Sequence, residues 1–547
     1  MDGRKLLKIR KFISVIIITV LLLCLASCGD GSGGAFSYAL SFSPSTLDPQ
    51  YTQGEDAGTI INNCFEGLVR LDENGEVTPG VAKSWEISPD GLTYTFHLRE
   101  NSEWSVVRRI NTSTIGDEWE DFDTKVTAYD FAFAFNRAVK AETNCPAFSE
   151  FLIIKNARQV NEGKLSVTSL GVNTPDDYTL VVELEHRCLD FLDRLAGTAF
   201  MPCNEEFFNL CGGRYGLNTQ YLLCNGPFYV AAWDASSSLT VRKNHGYNGE
   251  NKVMPSSVTF HFGNDASKIA RNVSTGTYSA AVFTDIDSVP ADSVNVRSID
   301  DTVYGFCFNC ADTFFGNEYL RLALSFCVKK DLFEPPEGCS FTRTSVPLCC
   351  KAGELNYSEQ VTKQMPTITY DEERALEYWN AALEVLGVRA VNVSLLCEEK
   401  YSAAIRSQIQ VWQQIFDVGL AVNVVTDTEN NIEKLLESGE YQFAFAPVHS
   451  QSSSSAGFLA DFIPGRSTNI FRFEDDDYER MISDALNVES QQDVLNGSFS
   501  ADSYLIKHAI FYPMFTGTSC FVTHNSVDGI KCSVTGDNIS FISAIEK

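Results

Sequence analysis

Apolar and polar positions follow two rhythms along this chain, and each predicts elements. A two-residue alternation runs through LTYTFHLR, where Leu92, Tyr94, Phe96 and Leu98 oppose Thr93, Thr95 and His97. A half-buried strand is predicted there, entered from the turn residues of SPDG. Shorter strands are predicted at 36–42, broken by Pro44 and Pro49, and at 177–184, and residues 226–244 read as a hairpin. Helical spacing marks 58–71, with Ile61, Cys64 or Phe65, and Leu68 on one face. It also marks TAYDFAFAFNRAVKAE, with Thr127 as the cap and Asp130 in the first turn, where an acid suits the helix dipole. Further on, Ala375, Trp379, Ala382 or Leu383, and Leu386 share a helix face that Gly387 closes. Residues 402–425 read as a helix followed by an alternating strand. Strands dominate the first part and helix–strand units the second, which predicts an α/β chain with more than one lobe. Residues 104–126 read as a polar insert rich in acids, and no internal repeat is found.

The amino end breaks both rhythms. Arg4, Lys5, Lys8, Arg10 and Lys11 form a basic head, and the 15 residues Phe12–Ala26 are apolar except for Ser14 and Thr19. A membrane-spanning helix needs about 20 such residues, so the layout is that of a secretory signal peptide. Leu25-Ala26-Ser27-Cys28 resembles the bacterial lipobox, whose cysteine takes a diacylglyceryl thioether and becomes the first residue after cleavage. The resemblance implies a signal peptide over 1–27, lipid attachment at Cys28 and a flexible tether over 28–35. An uncleaved single span is the alternative, for which the run is short.

Composition narrows the partners. The 547 residues carry a formal net charge of −29, and loss of 1–27 would remove the five basic residues and Asp2 and leave the remainder more negative. Such a chain repels phosphate backbones and anionic lipid surfaces, so no nucleic acid partner is expected, and the membrane is met through the lipid anchor only. Of 17 cysteines, Cys24 leaves with the signal and Cys28 is lipidated; others, such as Cys64, Cys327 and Cys397, stand where a small apolar residue would serve. Cys307 and Cys310 form a lone CxxC in a predicted strand, where positions three apart face opposite sides. Cys339, Cys349 and Cys350 lie around a loop and are the best disulfide candidates. No second CxxC, no histidine pair at ligand spacing and no GxSxG, HExxH or SxxK motif occurs, so no metal, cofactor or catalysis is expected. Glu118, Glu120, Asp121 and Asp123 do not follow calcium-loop spacing and read as a solvated insert. Asp475, Asp476 and Asp477 read as a helix amino end, and Trp85, Trp104, Trp379 and Trp412 as core.

Six stretches carry a further signal: STLDPQ (45–50), FEGLVRLDENGEVTPGVAKSWEISPDGLTYTFHLRENSEW (65–104), VTAYDFAFAFNRAV, NGPFYVAAW (225–233), YGFCFN followed by YLRLALSFCVKKDLF, and YDEERALEYWNAA. The second holds Glu66-Gly67-Leu68, Pro79-Gly80, Ser84-Trp85, Asp90-Gly91 and Leu98-Arg99. In this order they resemble the family 5 extracellular solute-binding proteins, the oligopeptide- and dipeptide-binding components of ABC importers. The resemblance spans nearly the whole chain after the tether. It implies an α/β, two-lobed periplasmic-binding-protein-like type II fold with an additional β-rich subdomain in the first lobe. Carried over, lobe one comprises 36–66, 196–275 and 505–547, the extra subdomain 67–195, and lobe two 276–504.

The function implied is capture of an extracellular solute, most simply a peptide, between the lobes and delivery to a membrane permease with its ATPase. The protein is then an outward-facing, lipid-anchored monomer of the cell membrane and not an enzyme. Nickel-complex or oligosaccharide binding, or a surface sensor without transport, are the alternatives. In many members an acid in a W-x-x-D-[YF]-like stretch pairs with the peptide amine. Here the matching place runs Pro447, Val448, His449, Ser450 and a serine run, with no acid before Asp461, so that residue does not carry over. The serine run is read equally as cleft lining or as a solvated loop. Candidate ligand contacts are Tyr51, Glu55 and Asp56, then Phe308 and Asn309, then Ala446, Pro447, Val448, His449 and Ser450; ordinary packing is the alternative at each.

Overall fold

The computed structural model describes residues 33–547 apart from 53, 117–120, 189, 264, 285, 428–431, 451, 465–467, 487, 489 and 536–537. Cys28, the signal segment and most of the tether lie outside the described residues, as do Glu118 and Glu120 of the acidic insert. Among the described residues no helix is long and apolar enough to cross a membrane.

Ten strands form one sheet: β1 (Ala35–Ala39), β2 (Phe228–Asp234), β3 (Ser238–Lys243), β4 (Ser257–His261), β5 (Ala280–Phe283), β6 (Val294–Phe308), β7 (Val391–Glu398), β8 (Leu420–Asp427), β9 (Phe443–His449) and β10 (Phe511–His524). Their order is β8-β7-β9-β6-β10-β5-β1-β4-β3-β2. The two long strands, β6 and β10, carry the chain between the lobes. They pair with each other from Val294↔His524 to Cys307↔Phe511. At one end β10 also pairs with β5, and at the other β6 pairs with β9. The register slips between Ile299 and Thr302, so the ladder is interrupted where the partners change. Strand β5, at 280–283, sits on the first-lobe side, between β1 and β10.

Each lobe buries both faces of its part of the sheet. In the first, Phe36 and Tyr38 of β1, and Leu40 just after it, pack with Ile60 and Ile61 of helix α1 (Glu55–Cys64). Ala39 and Ala281 face Val273 and Tyr278 on the other side. In the second, Val303, Ala444 and Ala446 meet Phe458 and Leu459 of helix α3 (Ser455–Ala460). Tyr304, Phe306 and Phe445 meet Trp412 and Ala375 on the opposite face. Neighbours on a strand point to opposite faces, so Val303 and Tyr304 seed separate cores. A four-stranded antiparallel sheet, ordered Ala82–Ile87, Thr93–Leu98, Thr179–Glu183, Val172–Asp176, forms the additional β-rich unit. Helix α2 (Ala128–Val139) packs on it through Phe131, Ala134 and Phe135.

Three local expectations change. The helix expected over 58–71 stops at Cys64, because the Asn225 side chain takes both the Glu66 N–H (3.0 Å) and its C=O (2.8 Å) and holds this backbone extended. The insert at 104–126 contains a helix, Arg108–Ile115. Strand β6 ends at Phe308, and the turn at Asn309 brings Cys310 back against the core that holds Cys307, so the two cysteines share a side. All cysteines among the described residues are free thiols; Cys349 and Cys350 stand with their sulfurs 3.9 Å apart, and Cys339 faces Thr518.

Candidate functional site

The first wall of the site begins with the loop after β1. Asp48 is buried and grips the Arg137 guanidinium of α2 with both carboxylate oxygens. Its backbone oxygen accepts from Tyr51 N–H (3.0 Å) and Thr52 N–H (2.8 Å). Gln50 donates to the Ala199 and Met201 carbonyls at 3.0 and 2.8 Å, which docks the loop on the segment 198–201. Behind it, Glu66 is buried between Arg70 (3.4 Å), Arg99 and the Tyr247 hydroxyl (2.6 Å). Gly226 is obligatory at the joint of these motifs: a Cβ there would lie 2.6 Å from the Cys64 carbonyl carbon.

The second wall is the serine run. Ser450 N–H donates to the Asp301 carbonyl on β6 (2.8 Å), and Ser450 Oγ donates to the Ser452 carbonyl (2.7 Å). Lys351 N–H donates to Ser453 O (2.7 Å), and Ser454 caps α3 by accepting from Gly457 N–H. The run is therefore an ordered staircase and not a loose surface loop.

Between these walls lies a cavity of about 410 Å³. Thr52, Gly54, Gly58 and Asn62 line it from the first lobe, and Ser452, Ser453, Ser454 and Gly457 from the second. Residues of the segment 190–200 and Ser533, Val534, Thr535 and Asn538 add to the lining. A second chamber of about 320 Å³ adjoins, sharing Asn62, Leu71 and Ala196 with the first. The volumes fall in the range of small-molecule sites. Arg194, mostly buried, pairs with Asp190 Oδ2 (3.2 Å) and Glu150 Oε2 (3.3 Å) on the wall. Beside it, burial and then the like charge of Asp190 push the Asp193 carboxyl up to about 6.

The expected contact residues fall around this cavity more than in its lining. Tyr51 is exposed, and Asp56 accepts from Phe42 N–H (2.6 Å) at the end of β1. Glu55 opens α1 next to the lining residue Gly54. Phe308 is buried against Phe315 and Phe443. Asn309 is buried too, donating to the Tyr441 carbonyl (2.8 Å) and accepting from Ala311 N–H. Ala446, Pro447, Val448 and His449 pair along β6, and the His449 ring meets Thr302 Oγ1 at 2.7 Å. With Ser450 they support the serine run, whose Ser452–Ser454 reach the cavity. Sequence reasoning missed Asp190, Asp193 and Arg194 on the other wall. The spacing Asp190-x-x-x-Arg194, one helical turn, was the available signal.

Comparison with known proteins decides the family. The profile of bacterial extracellular solute-binding proteins, family 5 (middle region), matches residues 76–469. The chain belongs to this family. The dipeptide-binding protein DppE of Bacillus subtilis is 25% identical over 516 residues, 89% of this chain and 87% of that protein. The probable deoxycholate-binding periplasmic protein YgiS of Escherichia coli is 34% identical over 215 residues, 39% of this chain and 37% of that protein. Listeria monocytogenes OppA bound to peptide superposes with a TM-score of 0.75 at 21% identity, over 95% of this chain and 100% of that one. The two-lobed type II fold of that structure is therefore the fold of this chain.

Proposed function

We propose that the chain is the solute-capturing component of a peptide importer, tethered by lipid at Cys28 and closing its two lobes on a peptide for transfer to a permease. The observation that carries this reading is the cavity itself. It is walled from both lobes, with Gly54, Gly58, Gly75, Gly197 and Gly457 and the serines Ser452, Ser453 and Ser454 among its lining residues. A cleft between two lobes suits an extended peptide, which can be held along its main chain from both sides. The crossover strands, with their slipped register at 299–302, form the hinge in this reading. The ligand leaves intact; binding and release are the whole task.

A peptide importer component bound to its ligand is stabilised by an amount that grows with the logarithm of ligand concentration over Kd. Thermal-shift screening against peptide pools of defined length tests this, with deoxycholate, oligosaccharides and nickel complexes alongside. Stabilisation by peptides recovered unchanged is the expected result. Stabilisation by one of the other solutes alone would overturn the peptide reading, and cleavage of any peptide would overturn the non-catalytic one.

A further inference from the structure

Solute capture leaves one piece of chemistry unused, the adjacent thiols of Cys349 and Cys350. Their sulfurs stand 3.9 Å apart. Cys350 is buried in the second-lobe core, and Cys349 packs against that core while keeping part of its surface exposed. The pair is tied to the serine run. Cys350 Sγ lies 3.3 Å from Ser450 Oγ and donates to the Ser452 carbonyl at 3.3 Å. That carbonyl therefore takes both the Cys350 thiol and the Ser450 hydroxyl. The next residue, Lys351, gives its N–H to the Ser453 carbonyl (2.7 Å) and bridges to Ser454. On the other side the Cys349 N–H donates to the Asp300 carbonyl (2.9 Å), within the slipped stretch of β6. The two thiols thus stand between the crossover strands and the three serines, Ser452, Ser453 and Ser454, that line the cavity.

We propose that Cys349 and Cys350 are a redox-modification site, which a small-molecule disulfide closes to a vicinal disulfide and which loosens the cleft wall through the serine run. The inference stands whatever solute the cleft takes. The Cys349 thiolate attacks one sulfur of the reagent, forms a mixed disulfide and expels one thiolate. The Cys350 thiolate then attacks the Cys349 sulfur and expels the second. Two protein thiols are oxidised, one external disulfide is reduced, and the two expelled thiolates take up the two protons. Bond formation brings the sulfurs to about 2 Å, which draws Cys350 Sγ away from Ser450. It also removes the S–H that Cys350 gives to Ser452. The serine run then loses one of its ties to the core, on the side where it faces the cavity. The hydrogen bond with Cys350, and then burial, hold the Cys349 thiol well above its ordinary value. The pair therefore rests as thiols, and its exchange quickens as pH rises.

The test treats the folded, reduced full chain with oxidised glutathione at mildly alkaline pH and quenches in acid. Trypsin cuts after Arg343 and Lys351, so the peptide 344–351 carries both cysteines and no other. Expected is that peptide lighter by two hydrogens, without a glutathione adduct, and restored by a reductant. Hydrogen exchange then reads the wall: amides of 449–457 should exchange roughly tenfold faster in the oxidised protein, because a tie of that segment is lost. Cys349→Ser keeps the Cys350 contacts but cannot form the bond, and its serine run should exchange alike with and without the reagent. Cys349→Ala serves the same purpose should the serine variant fold poorly, and the mass measurement on the parent needs neither. Thiols that stay reduced, a glutathione adduct left on either cysteine, or a bond to Cys339 instead would overturn the site. A disulfide that forms while exchange over 449–457 stays unchanged would overturn its coupling to the cleft wall.

Discussion

Asp130 offers a sharp test of how burial and capping compete in this chain. It is the third residue of α2 and completes a capping box, accepting from the Thr127 N–H (2.7 Å) and hydroxyl (3.2 Å). Its other oxygen accepts from Asn204 at 3.3 Å. These bonds favour the carboxylate, but burial outweighs them, and the carboxyl is pushed up to about 7 against 3.8 in the unfolded chain. A raised folded value means that the native state binds a proton more tightly than the unfolded one. Stability from this group is therefore fully present below 3.8 and is lost as pH rises through about 7. At 1.36 kcal/mol per pH unit the loss is roughly 4 kcal/mol as an upper bound.

In Asp130→Asn the side chain keeps an oxygen to accept from Thr127 N–H but cannot ionise. The variant should match or exceed the parent at pH 8, by up to a few kcal/mol, and lose that advantage near pH 4. Denaturant midpoints at half-unit steps from pH 4 to 8 measure this directly. Asp193, held near 6, and Asp48, Asp301 and Asp502, all raised chiefly by burial, act in the same direction. The parent should accordingly be most stable in mild acid. If Asp130→Asn instead loses the ~1 kcal/mol expected of a missing cap at every pH, with the slope unchanged, then the hydrogen bonds dominate the burial cost and the reasoning fails.

Other consequences follow from the joints between segments. Glu66→Ala strips the countercharge from Arg70 and Arg99 in a buried cluster and should cost about 3–5 kcal/mol, read as a drop in denaturant midpoint; a loss under 1 kcal/mol would show that the cluster is solvated. Gly226→Ala forces a methyl onto the Cys64 carbonyl and should lower Tm by several degrees, and an unchanged Tm would mean that this joint relaxes freely. Cys28→Ser should release the protein from membranes on cell fractionation, and continued retention would rule out the lipid tether.

How far the fold was legible depended on whether each element's partners lie nearby in sequence. The strand Thr93–Leu98 alternates in burial as its residues alternate in polarity, because its neighbours on the sheet are plain hairpin and crossover partners. Helix α2 was legible with its cap for the same local reason. Residues 58–71 were not: their helical spacing continues to Leu68, but the backbone at Glu66 is taken by Asn225 from 159 positions away. No periodicity within the segment reports such a partner. The site was less legible again, since a cavity is a property of what several segments leave unfilled. Residues Ala446–His449 look like a cleft edge from their position after a strand, yet β6 uses their main chain and their side chains are largely buried, so the opening falls to the serines beyond. The acids tell a different story. Asp190 and Arg194 sit one turn apart, which a sequence shows, and Asp193 between them lines the same wall of the cavity. An acid and a base one helical turn apart are a local pattern, and here the pair stands on the cavity wall, where no periodicity of apolar residues would have pointed.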